Sequence, residues 1–100
     1  MVNKLRPIHP GEILREELAE LSLSANHFAA QLHVPTNRIT AILNKKRAIT
    51  PDTALRLARY FGTSATFWLN LQMSYDLKIT FQEFGKQIEK EVQQRDQDVA

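Results

Sequence analysis

The chain contains no cysteine, which removes disulfide staples and thiolate metal sites from consideration and suits a reducing compartment. No apolar run approaches the roughly 18 residues that a membrane span requires. The opening stretch MVNKLRPIHPGE lacks the apolar centre of a secretory signal, so none is expected, and a cytoplasmic location is. Neither a glycine-rich phosphate loop nor a nucleophile motif is present, and an enzyme is not expected. His9, His27 and His33 include no i, i+4 pair and make a poor ligand set, so neither metal nor cofactor is expected. Acid is also missing where it matters most. Between Glu20 and Asp52 there is no Asp or Glu, while Arg38, Lys45, Lys46 and Arg47 all fall in that stretch. The net charge is only +2, so the distribution carries the information: one electropositive face is expected. For four cations alone, a merely solvated basic surface explains the pattern equally well.

With 100 residues the chain is the size of one domain with one modest core. The scarce prolines and glycines sit at boundaries. Pro10 suits a first helical turn, and Glu12, Glu16 and Glu17 follow where a helix dipole favours acids. Leu14, Leu18 and Leu21 then mark helix one, about Pro10 to Leu21. Ser24 caps helix two, whose Phe28, Ala29 and Leu32 form a short apolar face. His33-Val34 makes a turn, and after Pro35 a third helix carries Ile39, Ile42 and Leu43 before ending at Asn44. Thr50-Pro51-Asp52 supplies a cap, an N1 proline and an N2 acid for helix four, which Gly62 stops. Ser64 caps helix five, Ala65 to about Leu77, apolar around most of its circumference and so expected to meet another chain. Phe81, Phe84, Ile88 and Val92 can line a sixth helix, against which Gly85 argues, and the polar end QQRDQDVA reads as unordered. With no strand-period segment, the fold class is all-α: five helices with an optional sixth. The division expected is a DNA-binding domain over 1–78 and a C-terminal helix or tail over 79–100.

Two short helices, a tight turn and a third helix with a polar leading end are the parts of a helix-turn-helix. The unit is Ala25 to Asn44. Ala29 lets the two helices approach, Val34 packs the turn, and Ile39 and Ile42 face inward. Thr36, Asn37, Arg38 and Thr40 are left for the front of helix three. Asn pairs with adenine and Arg with guanine in bidentate fashion, and Thr offers a hydroxyl or methyl group. Ser24, Asn44, Lys45, Lys46 and Arg47 are the candidate phosphate contacts, which give affinity without sequence choice. Each residue also has a plainer account. Thr36 caps a helix, Asn44 ends one, and Asn37 and Arg38 are ordinary surface residues. Taken together and in this order, DNA contact is the better reading. Phe67, Trp68, Leu71 and Tyr75 are the candidate dimer seam, because a small module needs a second subunit to match two half-sites. His9 before Pro10 is expected at an N-cap, with Glu12 reaching back as in a capping box.

The run SANHFAAQLHVPTNRITAILNKKRAITPDTALRLARYFGTSATFWLNLQ resembles the helix-turn-helix of phage-repressor-like regulators. HPGEILREEL (His9 to Leu18), T-P-x-x-x-x-R-L-A (Thr50 to Ala58) and FWLNLQ (Phe67 to Gln72) resemble the HigA/VapI branch of antitoxins in particular, over about His9 to Leu77. The resemblance implies a homodimer that binds a palindromic operator on double-stranded DNA and represses its own operon. It also implies a partner toxin of the HigB kind, an mRNA-cleaving enzyme acting at the ribosome. Two positions depart from the family pattern. Lys45 stands where a glycine usually follows the asparagine, so the end of helix three must adopt a left-handed backbone with a side chain or close differently. Ala41 replaces a long polar residue, so readout is expected to lean on Thr36, Asn37 and Arg38. The alternatives are a free-standing repressor with no toxin, and an interaction module that has lost its DNA.

Overall fold

Helices begin where the capping residues stand. The computed structural model describes residues 6–96, in which five helices follow one another: α1 Pro10–Glu20, α2 Ala25–Leu32, α3 Thr36–Leu43, α4 Pro51–Phe61 and α5 Ala65–Glu91. Among the described residues there is no strand. Ser24 Oγ accepts from the His27 N–H at 3.1 Å, Thr50 Oγ1 from Thr53 at 3.4 Å and Ser64 Oγ from Phe67 at 3.1 Å, each satisfying a donor that a helix start leaves open. α4 ends on Gly62 at φ 73°, a left-handed closure that glycine adopts without a Cβ clash.

The first four helices and the start of α5 close around Leu14, Phe28, Ile39, Ile42, Ala54 and Leu57, none with measurable exposure. Ala29, 1% exposed, lies at the α2–α3 crossing, where a small side chain permits close approach. Phe61 bridges this core to α5, with its ring 5.8 Å from both Phe28 and Trp68.

α5 differs most from expectation. The stripe Phe81, Phe84, Ile88 does not form a separate sixth helix; α5 runs unbroken for 27 residues to Glu91. Gly85 is absorbed because one glycine in so long a helix costs only about 1 kcal/mol, and the Phe81 ring lies over it. The far half of α5 projects from the bundle, giving extents of 57 × 26 × 21 Å and a radius of gyration of 17.4 Å, against about 13 Å for a compact chain of this size. Residues 97–100 of the polar tail lie outside the described residues.

Candidate nucleic-acid interface

The turn between α2 and α3 is built by backbone geometry. His33 closes α2 in the left-handed region at φ 58°, and the Val34 N–H donates to the Ala29 carbonyl at 3.1 Å. Pro35 is then the N-cap of α3, with no side chain capping the helix. Thr36 is therefore not the cap, as its plainer account had it, but the first helical residue. Its hydroxyl donates to Asn26 Oδ1 at 2.8 Å, tying the start of α3 to α2 and leaving the methyl group and oxygen lone pairs for a ligand.

Ile39 and Ile42 are fully buried behind α3, as expected, so the helix can turn only one face outward. Asn37 is exposed there, and Arg38 and Thr40 are half-buried. The Thr40 hydroxyl donates to the Asn37 carbonyl at 3.3 Å. Arg38 is held more firmly: its Nη1 donates to Asp52 Oδ2 at 2.5 Å. The same oxygen accepts from Arg56 Nε at 3.0 Å, and Arg56 Nη1 donates to the Leu32 carbonyl at 2.9 Å. One carboxylate thus joins the leading end of α3 to α4, while Arg56 joins α4 to the last turn of α2. The two guanidiniums, Arg56 foremost, hold the Asp52 carboxyl below its usual pKa.

Lys45 adopts the left-handed backbone, φ 62°, the first of the two solutions open to a side chain at that position. Lys45, Lys46 and Arg47 are all exposed. Asn44 is the C-cap of α3, and its Oδ1 accepts from Arg15 Nη2 at 3.1 Å. The acid-free stretch is not acid-free in space. Asp52 faces Arg38, and Glu12 Oε2 lies 3.8 Å from Lys45 Nζ, because α1 packs against α3 and α4 against α2 beside it. The electropositive face is consequently reduced at Arg38 and, across a longer and half-exposed contact, at Lys45, and is carried in full by Lys46 and Arg47.

The basic loop is anchored from beneath by residues outside the helix-turn-helix. His9 is the N-cap of α1: its Nδ1 accepts from the Gly11 N–H at 2.9 Å, and Glu12 Oε2 accepts from the His9 N–H at 3.1 Å. The expected capping box is present. The His9 ring is 2% exposed and packs edge-on to Tyr75 at 4.9 Å. Burial pushes the imidazole's pKa down, against the negative charges of Asp76 and Glu12, which pull it up. Arg6, by hydrogen bonds of 2.8 and 3.1 Å, draws the Glu12 carboxyl down to about 2. Gly11 lies so close to the Ile42 carbonyl that an added Cβ would stand 2.0 Å from its oxygen. On the far side, Gln72, 6% exposed, accepts from the Ile49 N–H at 2.8 Å and donates to Asp76 Oδ1 at 3.0 Å. Beyond the His9–Glu12 box, the supports Gly11 and Gln72, like Arg56, were not singled out from the sequence. Their signals were a glycine inside a helix start, the arginine four residues after Asp52 in α4 and a glutamine in the apolar FWLNLQ run.

The four aromatic and aliphatic residues expected at a dimer seam are divided. Trp68 is 2% exposed in the chain's own core, with its indole N–H donating to Thr63 Oγ1 at 2.9 Å, so it offers nothing to a second subunit. Leu71 and Tyr75 are half-buried and only Phe67, 44% exposed, faces out. The exposed apolar residues of α5 are instead Met73, Leu77, Phe81, Phe84 and Ile88, which the 3.6-residue pitch places on the side away from Trp68 and Gln72. Among the described residues no helix is long and apolar enough to cross a membrane, and no three His, Asp or Glu cluster to hold a metal.

The helix-turn-helix family model matches residues 14–68. Virulence-associated protein I of Dichelobacter nodosus is 55% identical over 82 residues, which cover 81% of this chain and 76% of that protein. An addiction module antidote protein of the HigA family from Coxiella burnetii superposes with a TM-score of 0.88 at 61% identity, covering 91% of this chain and 100% of the other. Antitoxin HigA of Pseudomonas aeruginosa, solved with the higBA promoter, gives 0.85 at 48% identity over 88% of this chain and 97% of its own. With a turn, a buried-backed third helix and these relatives in agreement, the chain belongs to the helix-turn-helix family, in its HigA/VapI group.

Proposed function

We propose that this protein is a DNA-binding antitoxin that represses its own operon, reading a palindromic operator through α3. One observation carries the reading. The leading end of α3 presents Asn37, Arg38 and Thr40 on a helix whose opposite face, Ile39 and Ile42, is fully buried. Such a helix has a fixed orientation and a polar edge of the kind that enters a major groove. Thr36 contributes a methyl group and acceptors beside them. Ser24, Asn44, Lys45, Lys46 and Arg47 are assigned to phosphates. The unit doing this work is residues 1–78, and the setting is cytoplasmic. The solved antitoxin HigA with the higBA promoter supports the DNA partner; the antidote relative supports a toxin partner, and we assign that partner to the HigB kind.

The protein acts as a homodimer. Of the residues assigned to the seam, Phe67, Leu71 and Tyr75 remain at its edge, and the exposed stripe Leu77, Phe81, Phe84 and Ile88 extends it. Their 4-3-4 spacing is that of a coiled-coil seam, and a second copy supplies the matching stripe along with the second recognition helix.

The test is a titration of the upstream DNA of its own gene at fixed salt. Arg38→Ala is expected to weaken binding by about 1–3 kcal/mol and relax base preference, if the bond to a base is bidentate. Unchanged affinity and preference remove Arg38 as a base reader. Co-purification with a neighbouring small basic protein separates an antitoxin from a free-standing repressor.

A further inference from the structure

We infer that Asp52 is a specificity-positioning residue: it clamps one edge of the Arg38 guanidinium so that the other edge is presented to a base. The inference rests on Arg38 facing the groove, as proposed above. Arg38 sits in the first turn of α3 and Asp52 at the second position of α4, and their side chains meet at 2.5 Å through a single nitrogen, Nη1. A guanidinium has five donors in a rigid fork, so an anion held on Nη1 restricts the rotamers of Arg38 and leaves its remaining donors for a ligand. Asp52 is itself fixed by Arg56 Nε at 3.0 Å, and Arg56 by the Leu32 carbonyl at 2.9 Å. The chain of contacts therefore references the orientation of Arg38 to the start of α4 and, through Arg56, to the end of α2, which itself packs on α3.

An acid at the second position of a helix favours that helix through its dipole alone. That role does not require a contact with α3, nor a second guanidinium on the same oxygen. Asp52 is also 55% exposed in its side chain and touches Arg38, a residue proposed to meet DNA, where a negative charge weakens attraction to any DNA. Selectivity and general affinity are thus expected to move in opposite directions when the charge is removed. Asp52→Asn leaves Arg38 and Arg56 as adjacent like charges with no anion between them, and the long Arg38 side chain then samples several rotamers.

The experiment measures binding of the full chain, at one salt concentration, to two probes. One is the duplex most enriched from a randomised library by the wild-type protein; the other is a scrambled duplex of the same length and composition. Wild type, Asp52→Asn, Arg38→Ala and the double variant are compared by the ratio of the two affinities. A partly unfolded population lowers both affinities by one factor, so the ratio reports orientation and not folding. Asp52→Asn is expected to lower the ratio about tenfold while affinity for scrambled DNA stays level or rises. The double variant is expected to match Arg38→Ala, because the clamp has nothing left to hold. A wild-type ratio in Asp52→Asn, or losses that multiply in the double variant, overturns the inference. If Arg38→Ala itself leaves the ratio unchanged, the base-reading role has failed and the clamp falls with it.

Discussion

Lys45 carries two opposed consequences of one side chain. Its backbone is in the left-handed region at φ 62°, where a Cβ costs roughly 1–2 kcal/mol that glycine avoids. Its ammonium lies 3.8 Å from Glu12 in a half-exposed pair, an interaction of about 0–1 kcal/mol. The conformational effect is the larger, so Lys45→Gly is expected to gain about 1 kcal/mol, measured as a shift in urea midpoint. DNA binding is expected to weaken in the same variant, with the salt slope reduced by about one. His9 gives a second prediction at this scale. Its folded pKa is lowered from 6.5, so the stabilisation it contributes is full above about pH 6.5 and declines as the pH falls toward the folded pKa. Glu12, lowered from 4.5 to about 2, acts in a separate and more acidic window. His9→Asn keeps an N-cap acceptor but cannot titrate, and is expected to flatten the loss of stability between about pH 7 and about pH 5. Denaturant titrations at both pH values check it; an unchanged slope removes His9 as the cause.

Among the elements, α1 and α3 owe their separation to Gly11. A Cβ there would stand 2.0 Å from the Ile42 carbonyl oxygen, and backbone cannot swing aside as a side chain can. Gly11→Ala is expected to destabilise by about 1–3 kcal/mol through overpacking, despite alanine's better helix propensity, and to disturb the basic loop that follows α3. Thermal unfolding checks the first part. This glycine was visible in the sequence as part of HPGEIL, but periodicity has no means of saying what it touches. Helix starts were different: Ser24, Thr50 and Ser64 cap where local chemistry placed them, because a cap acts within three residues. The continuation of α5 past Leu77 was not legible for a related reason. A local reading weighs Gly85 as a break, whereas helix propagation across one unfavourable residue is inexpensive.

At the scale of the molecule, the projecting half of α5 leaves Phe81 and Phe84 about half exposed, at 53% and 49%. Aspartate at both positions is expected to leave the bundle folded, by circular dichroism, and to convert a two-chain species into a single chain by sedimentation. Affinity for a palindromic duplex is then expected to fall about a hundredfold or more, as the second half-site no longer benefits from linkage. A wild-type protein that sediments as one chain at high concentration rules out the dimer. Composition, capping and the i, i+3, i+4 spacing were enough to determine five helix starts, the buried backs of α2 and α3 and the polar front of α3. Each of those depends on neighbours within a turn or two. Tertiary structure alone decided that Asp52 and Glu12 close on the acid-free stretch, that Trp68 is core, and that Gln72 holds the backbone just beyond the basic loop. These pairings join residues 14 to 33 positions apart (Arg38 with Asp52, Glu12 with Lys45), and only the packing of α1 and α2 against α3, with α4 on α2 and α5 on α1 and α4, brings them within reach.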